Sequence, residues 1–114
     1  MYAMGAAEFE LEVARVLENL PQALTERIAN VAFGVEDGYG RPNLLGLYEG
    51  IPLTRRGVQY SFALPDRITI YRYPILVRCS CYADVAWLVE VVVKHEIGHY
   101  FGLSDARLHE LGWA

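Results

Sequence analysis

The segment between His95 and Asp105 contains metal-binding residue types at regular spacing. It begins His-Glu-Ile-Gly-His, with a glycine three residues after the second histidine and an aspartate six residues after it. On an α-helix, residues four apart share one face, so the side chains of His95 and His99 can reach a single point. Neutral imidazole nitrogens bind Zn²⁺ at about 2.0–2.1 Å. The spacing therefore predicts a zinc site, with Glu96 about 100° around the helix from His95 and free to act on a water molecule.

Asp105 is the predicted third ligand. Its carboxylate oxygen would complete three protein ligands and leave the fourth position of the zinc ion open for water. An alternative role is helix capping, because Ser104 and Asp105 are both favourable N-cap residues for a final helix. His109 and Glu110, one helical turn further on, are fallback ligands or surface residues. We favour the ligand role for Asp105.

These residue types predict hydrolysis of a peptide or amide bond. Zinc lowers the pKa of a bound water towards 7 and polarises a carbonyl group. Glu96 is the predicted general base, which takes the proton from that water and passes it to the leaving amine. The alternative is that the histidines belong to an ordinary apolar core, but three adjacent ionisable groups are costly to bury without a partner. Tyr71, Tyr73 and Tyr100 are unassigned candidates for stabilising the oxyanion.

Two glycines and two cysteines near the motif have simpler interpretations as well. Gly98 costs a helix about 1 kcal/mol relative to alanine, so it either permits close packing of another element or leaves space for metal and substrate. Gly102 is expected to end the helix. This end either returns the following residues towards the metal or is an ordinary helix stop, and the two roles are compatible. Cys79 and Cys81 are separated by one residue, a spacing that strains a disulfide. We interpret them as free thiols rather than metal ligands.

A long helix is predicted to carry the motif. From Tyr82 or Asp84 to Phe101 the chain is apolar almost all round, which indicates a helix buried against a sheet or other elements. Its many valines favour a strand locally, but its length and the spacing of the motif favour a helix. Ser80 or Asp84 is expected to cap its start.

The other elements are predicted from hydrophobic spacing and turn residues. Helices are expected over residues 6–19, 21–29 and 104–111, with a helical turn or two before Arg78, and strands over residues 31–35, 45–48 and 67–71. A loop over residues 50–57 follows the second strand. That second strand is a candidate edge to which an extended peptide could add.

Composition limits the class of protein. The 114 residues predict a single domain spanning residues 1–114, and 54% of them are hydrophobic, which is typical of a folded chain. The net charge of −4 and a sequence pI near 5.3 argue against nucleic acid or an anionic membrane as the main partner. The sequence lacks the apolar run of about 18 residues that a membrane span requires. With two cysteines and no signal-peptide pattern, a cytoplasmic location is expected.

The extended motif is similar to that of the zincin metallopeptidases, and its aspartate in third place resembles the snapalysin type. The small size of the chain, residues 46–53 and the ending at residues 105–113 more closely resemble the bacterial minimal zincins. This resemblance covers nearly the whole chain. It implies an α+β fold, in which a small twisted mixed sheet of about three to four strands packs against the motif helix, with N-terminal and C-terminal helices.

The same resemblance implies residue roles. His95, His99 and Asp105 are then the metal ligands for one Zn²⁺ per chain, Glu96 is the general base, and the substrate is a peptide or protein. No methionine follows the motif, and the lower half of a full-size protease is not expected. Two other functions stay open: a binding module without turnover, whose cleft a partner protein completes, and a structural zinc domain in which His109 or a cysteine is the fourth ligand.

Overall fold

The computed structural model describes residues 1–52 and 65–110. Its elements in chain order are α1 (Ala6–Glu18), α2 (Gln22–Thr25), β1 (Val31–Glu36), β2 (Gly46–Glu49), β3 (Asp66–Tyr71), α3 (Arg72–Val77), α4 (Tyr82–Tyr100) and α5 (Asp105–Glu110). Residues 53–57 of the predicted loop lie outside the described residues. Leu111, the last residue of the predicted final helix, also lies outside them.

Strand β3 is the centre of a three-stranded mixed sheet with the order β1–β3–β2. β1 runs parallel to β3, whereas β2 runs antiparallel to it, with Gly46 opposite Ile70. Three successive residues of β3 are fully buried, as expected for a strand covered on both faces: Ile68, Thr69 and Ile70. Together with the helices of the described residues, this sheet confirms the predicted α+β class.

Helix α4 packs against the sheet and carries much of the core. It contacts β2, β3, α1 and α3. Five of its apolar side chains are buried: Val85, Val89, Val92, Val93 and Ile97. This burial outweighs the low helix propensity of valine, because most helix stability in proteins comes from packing. The helix is not buried all round, however, since Trp87 is 65% exposed.

Helix α4 begins at Tyr82, one of the two predicted starts, but its capping residue differs from the prediction. Cys81, rather than Ser80 or Asp84, is the N-cap residue, and its side chain makes no capping hydrogen bond. Asp84 lies in the first turn, where its Oδ2 accepts the backbone N–H of Ser80 at 2.8 Å. The carboxylate thus satisfies a donor just outside the helix and places its charge at the positive end of the helix dipole.

Helix α1 packs against α4 and agrees closely with its predicted span. It contributes apolar side chains to the same core: Phe9, Val13 and Val16. A buried carboxylate, Glu12, connects the two helices, because it accepts hydrogen bonds from Arg15 and from the hydroxyl of Tyr82. The Arg15 guanidinium holds the pKa of Glu12 below its ordinary value.

Helix α2 is shorter than the predicted span of 21–29. It ends at Thr25, and none of its four residues is fully buried. The N–H groups of Arg27 and Ile28 then bond to carbonyls three residues back rather than four, so the α-helical pattern stops. Leu24 and Ile28 nevertheless pack against the core. Asn30 then adopts a left-handed φ of 58° directly before β1. Within residues 1–52 and 65–110, no helix combines the length and apolar character that a membrane crossing needs.

Candidate metal centre

The end of α4 and the start of α5 bring three side chains to one point. The Nε2 atoms of His95 and His99 lie 3.1 Å apart. Oδ1 of Asp105 lies 3.3 Å from Nε2 of His95 and 3.2 Å from Nε2 of His99. The structure therefore brings together the three residues that the sequence predicts as ligands, in a nearly equilateral triangle.

The size and chemistry of this triangle fit zinc. Three ligand atoms at about 2.0–2.1 Å from a tetrahedral ion lie about 3.3–3.4 Å from one another. The observed separations are 3.1, 3.2 and 3.3 Å, close to that spacing. Two imidazole nitrogens and one carboxylate oxygen form a donor set that catalytic zinc uses, with one coordination position left over.

The C-terminus of α4 orients the ring of His99. Gly102 has a left-handed φ of 85°, and its N–H donates to the carbonyl of His99 at 2.9 Å. The N–H of Leu103 donates to the carbonyl of Gly98 at 3.0 Å, which completes a Schellman motif. The motif places the carbonyl oxygen of Leu103 3.1 Å from Nδ1 of His99. Because a carbonyl only accepts, Nδ1 carries the hydrogen, and Nε2 presents a lone pair towards the other ligands.

Ser104, rather than Asp105, takes the capping role at α5. Its Oγ accepts the backbone N–H of Arg107 at 3.2 Å, and its carbonyl accepts that of Leu108 at 2.9 Å. Asp105 is the first helical residue and its side chain is 82% exposed. The two roles that the sequence offered for Asp105 are thus divided between neighbouring residues, and its carboxylate is left to face the histidines.

The fallback ligands lie outside the triangle. His109 is exposed, and Glu110 pairs with Arg107 at 2.9 Å. Cys79 is buried, and its Sγ–H donates a hydrogen bond to the carbonyl of Ile75. Cys81 is an exposed free thiol. In the part of the chain that the structure describes, the one metal-ligand group contains His95, His99 and Asp105 alone, with no fourth protein ligand.

Gly98 serves close packing, which is the first of the two roles that the sequence allowed. A Cβ atom at Gly98 would lie 2.2 Å from Cδ2 of Leu108 in α5. The glycine therefore lets α5 rest directly on the backbone of α4.

Glu96 lies beside the triangle in a buried position. It is 7% exposed, and its carboxylate accepts a hydrogen bond from the backbone N–H of Tyr48 in β2. Burial raises the pKa of Glu96 above its ordinary value; His99, when it is protonated, and the hydrogen bond from Tyr48 oppose this rise, and the charge of Asp105 adds to it. The carboxylate consequently holds a proton more strongly than an exposed glutamate does.

Strand β2 approaches α4 closely at Gly46. A Cβ atom there would lie 2.6 Å from Cγ1 of Val92 and 3.1 Å from Cγ of Glu96. Any side chain at Gly46 would therefore push strand and helix apart. The glycine allows the N–H of Tyr48 to reach Glu96, a contact that no sequence pattern predicted.

The three predicted ligands and Glu96 line an open cleft with a volume of about 710 Å³. A recess of about 290 Å³ shares Leu44, Gly46, His95 and Glu96 with the cleft and extends along α4. Its remaining lining is mostly aliphatic: Leu45, Leu88, Val91 and Val92. At the lower limit of ligand-pocket volumes, the recess suits one apolar side chain rather than a whole ligand.

The tyrosines that the sequence suggested for the oxyanion lie elsewhere. Within the described residues, Tyr71, Tyr73 and Tyr100 are not part of the cleft lining. The hydroxyl of Tyr100 instead bonds to the backbone N–H and carbonyl of Ala29. Of the tyrosines that the structure describes, Tyr48 lines the cleft.

Comparison with known proteins agrees with this geometry. A search of curated proteins finds none that matches the chain. The model of a family described as zincin-like metallopeptidases matches residues 19–113, which include β2, the strand that lines the cleft, and the whole motif. Because that match extends over most of the sequence, the chain belongs to the zincin-like metallopeptidase family.

Proposed function

We propose that this protein is a zinc-dependent peptidase that hydrolyses peptide bonds. The observation that carries the proposal is the triangle of His95, His99 and Asp105, with the buried carboxylate of Glu96 beside it. The donor set would hold one Zn²⁺ per chain. Its three members leave one coordination position, which a hydrolytic site needs.

In this proposal, different residues bind the metal, transfer the proton and orient these groups. A zinc ion held there supplies Lewis-acid chemistry and makes water nucleophilic near neutral pH. Glu96 accepts a proton from the attacking water and donates it to the leaving amine. The N–H of Tyr48 fixes the orientation of that carboxylate, and the carbonyl of Leu103 keeps His99 in the tautomer that binds metal through Nε2.

The surroundings of the cleft support an extended peptide or protein as substrate. Strand β2 pairs with β3 along one side, and no second strand neighbour is present within the described residues. Its other side borders the cleft. The N–H of Tyr48 is already bonded to Glu96 there, so an extended chain would add through the remaining main-chain groups of β2. The aliphatic recess beside Glu96 would then receive an apolar substrate side chain. Nucleic acid remains an unexpected partner at a net charge of −4.

The test combines metal analysis with peptide-library digestion. The zinc-loaded protein is expected to contain one zinc per chain and to cleave peptides. Glu96→Gln should keep the metal but lose activity by at least about 10²–10⁴-fold, the usual contribution of a general base. Glu90→Gln is the matched control, because Glu90 lies on the same helix and is an exposed partner of Lys94. Failure of the protein to take up stoichiometric zinc would refute the proposal.

A second candidate function is a binding module that keeps the zincin scaffold without turnover. The observation that favours it is the set of exposed large side chains outside the cleft, which includes Leu11, Tyr39 and Trp87. A metal-loaded protein that cleaves nothing in a broad library, yet retains a defined protein partner, would favour this candidate. A cytoplasmic location is proposed for either function, because free thiols suit a reducing compartment.

A further inference from the structure

Among the described residues, one side chain provides most of the attachment of helix α5 to the rest of the protein. Leu108 is fully buried, whereas the other five residues of α5 are exposed. Leu108 rests on Gly98, where a Cβ atom would meet its Cδ2 at 2.2 Å and its Cδ1 and Cγ at 3.2 Å. Leu108 therefore occupies the space that a side chain at position 98 would fill.

The same helix carries the predicted third metal ligand. Asp105 and Leu108 are three residues apart, so they lie on the same face of α5. Gly98 is directly followed by His99, whose Nε2 is 3.2 Å from Oδ1 of Asp105. The contact between Gly98 and Leu108 is therefore a packing contact beside the ligands that can set how far the carboxylate lies from the two imidazoles.

We propose that Gly98 and Leu108 are positioning residues, which hold Asp105 at metal-binding distance by seating α5 on α4. This inference rests on the metal centre of the proposed function and goes beyond it, because neither residue is a ligand. A metal site tolerates ligand displacements of only about 0.2 Å. A methyl group at position 98 has to move Leu108 by much more than that to reach an ordinary contact distance.

The primary test is the affinity for Co²⁺ and Zn²⁺, measured by titration against a competing chelator. Gly98→Ala is expected to weaken binding by about 10–100-fold, the range seen when residues that support metal ligands are changed. Alanine is a better helix former than glycine, so a weaker helix cannot explain the loss. The absorption spectrum of bound Co²⁺ should also change, since it reports the number and geometry of ligands.

A double-mutant cycle separates positioning from general damage. If the effect of Gly98→Ala acts through Asp105, it should shrink to less than about twofold in an Asp105→Ala background. Leu108→Ala should also weaken binding. Its combination with Gly98→Ala should cost less than the two changes added together, because the shortened side chain leaves room for the methyl group. Val85→Ala, at a buried site of α4 far from the ligands, is the control and should bind metal like the wild type.

The outcomes distinguish this inference from the proposed function. If wild-type protein binds no metal, the metal centre itself is wrong and this inference falls with it. If wild type binds metal and Gly98→Ala binds equally well, only the seating of α5 is refuted. If Gly98→Ala lowers metal affinity by the same factor with and without Asp105→Ala, the positioning role is likewise refuted. Should Gly98→Ala fail to fold, as judged by circular dichroism, the pair of Leu108→Ala with and without Asp105→Ala decides the question.

Discussion

The two sides of the metal centre are built very differently. His95 and His99 lie on a helix of 19 residues whose main contacts are with two strands and with helices α1 and α3. Asp105 lies on a helix of six residues with one buried side chain. The histidine side chains are 27% and 30% exposed, whereas that of Asp105 is 82% exposed. Two ligands are thus held by the core of the protein and the third by a small surface element.

This difference indicates that metal affinity and the stability of the folded state are only partly coupled in this protein. Segments with few buried contacts open locally at a lower free energy than the core does. The exposed residues of α5 can therefore be changed with little effect on the folded state, while changes at the histidine end of α4 affect both the site and the core. Four predictions test this contrast, in addition to the variants of Glu96 and Gly98.

The largest effect is expected on the α4 side. His99→Ala removes one imidazole and also leaves the carbonyl of Leu103 without its Nδ1 donor. Stoichiometric zinc should be lost after dialysis, as measured by elemental analysis. His109→Ala is the matched control, since His109 is exposed on α5, and it should retain the metal. Retention of zinc by the His99 variant together with loss from the His109 variant would favour a structural zinc site instead.

The next effect is expected on the α5 side. Asp105→Ala should weaken zinc binding by roughly 100-fold or more, because it removes a ligand rather than a supporting residue. The free energy of unfolding of the metal-free protein should change by no more than about 0.5 kcal/mol, as is usual for exposed side chains. Chemical denaturation of Asp105→Ala beside Glu110→Ala measures this. A large destabilisation without metal would contradict the view that α5 is a surface attachment.

A smaller effect is expected at the connection between the two sides. Gly102 has a φ of 85°, so Gly102→Ala should cost about 1 kcal/mol of strain. Zinc affinity should fall as well, by less than in Asp105→Ala, because the carbonyl of Leu103 shifts relative to His99. Titration with a chelator checks the affinity and thermal unfolding checks the stability. Gly40→Ala, an exposed loop position with open space for a methyl group, is the control.

The smallest effect is expected far from the site, at Glu12 between α1 and α4. Glu12→Gln should lower stability by about 1 kcal/mol at neutral pH, because it removes the charge that pairs with Arg15. The folded pKa of Glu12 is lower than its ordinary value of 4.5. Its contribution is therefore fully present above pH 4.5 and is lost as the pH falls through the folded pKa. Urea unfolding at several pH values should show the difference vanish in acid, with unchanged zinc affinity at neutral pH.

Sequence reasoning was most successful where a local pattern was sufficient. The spacing of four residues placed His95 and His99 on one face, and the structure brings their Nε2 atoms to 3.1 Å. Gly102 was predicted as the helix stop that returns the chain, and its φ agrees. A glycine followed by an apolar residue at a helix end is also the signal of a Schellman motif, so the position of the Leu103 carbonyl could have been predicted.

Contacts between distant segments were beyond local patterns. The hydrogen bond from Tyr48 to Glu96 depends on the order of strands in the sheet and on the close approach at Gly46. The packing role of Gly98 depends on where α5 lies, so the sequence could only offer two alternatives. The cap at Cys81 was missed because Asp84 bonds backwards to a donor before the helix.

Helix α1 has a consequence for how this protein can be shortened. The family match begins at residue 19, directly after α1 ends. Yet Phe9, Val13 and Val16 interlock with α4, the helix that bears both histidines. A fragment limited to residues 19–113 would lack α1 and would expose the apolar surface of α4 that α1 covers. The start of the family match is therefore not a boundary for folding, and a shortened protein that still folds has to include residues before position 19.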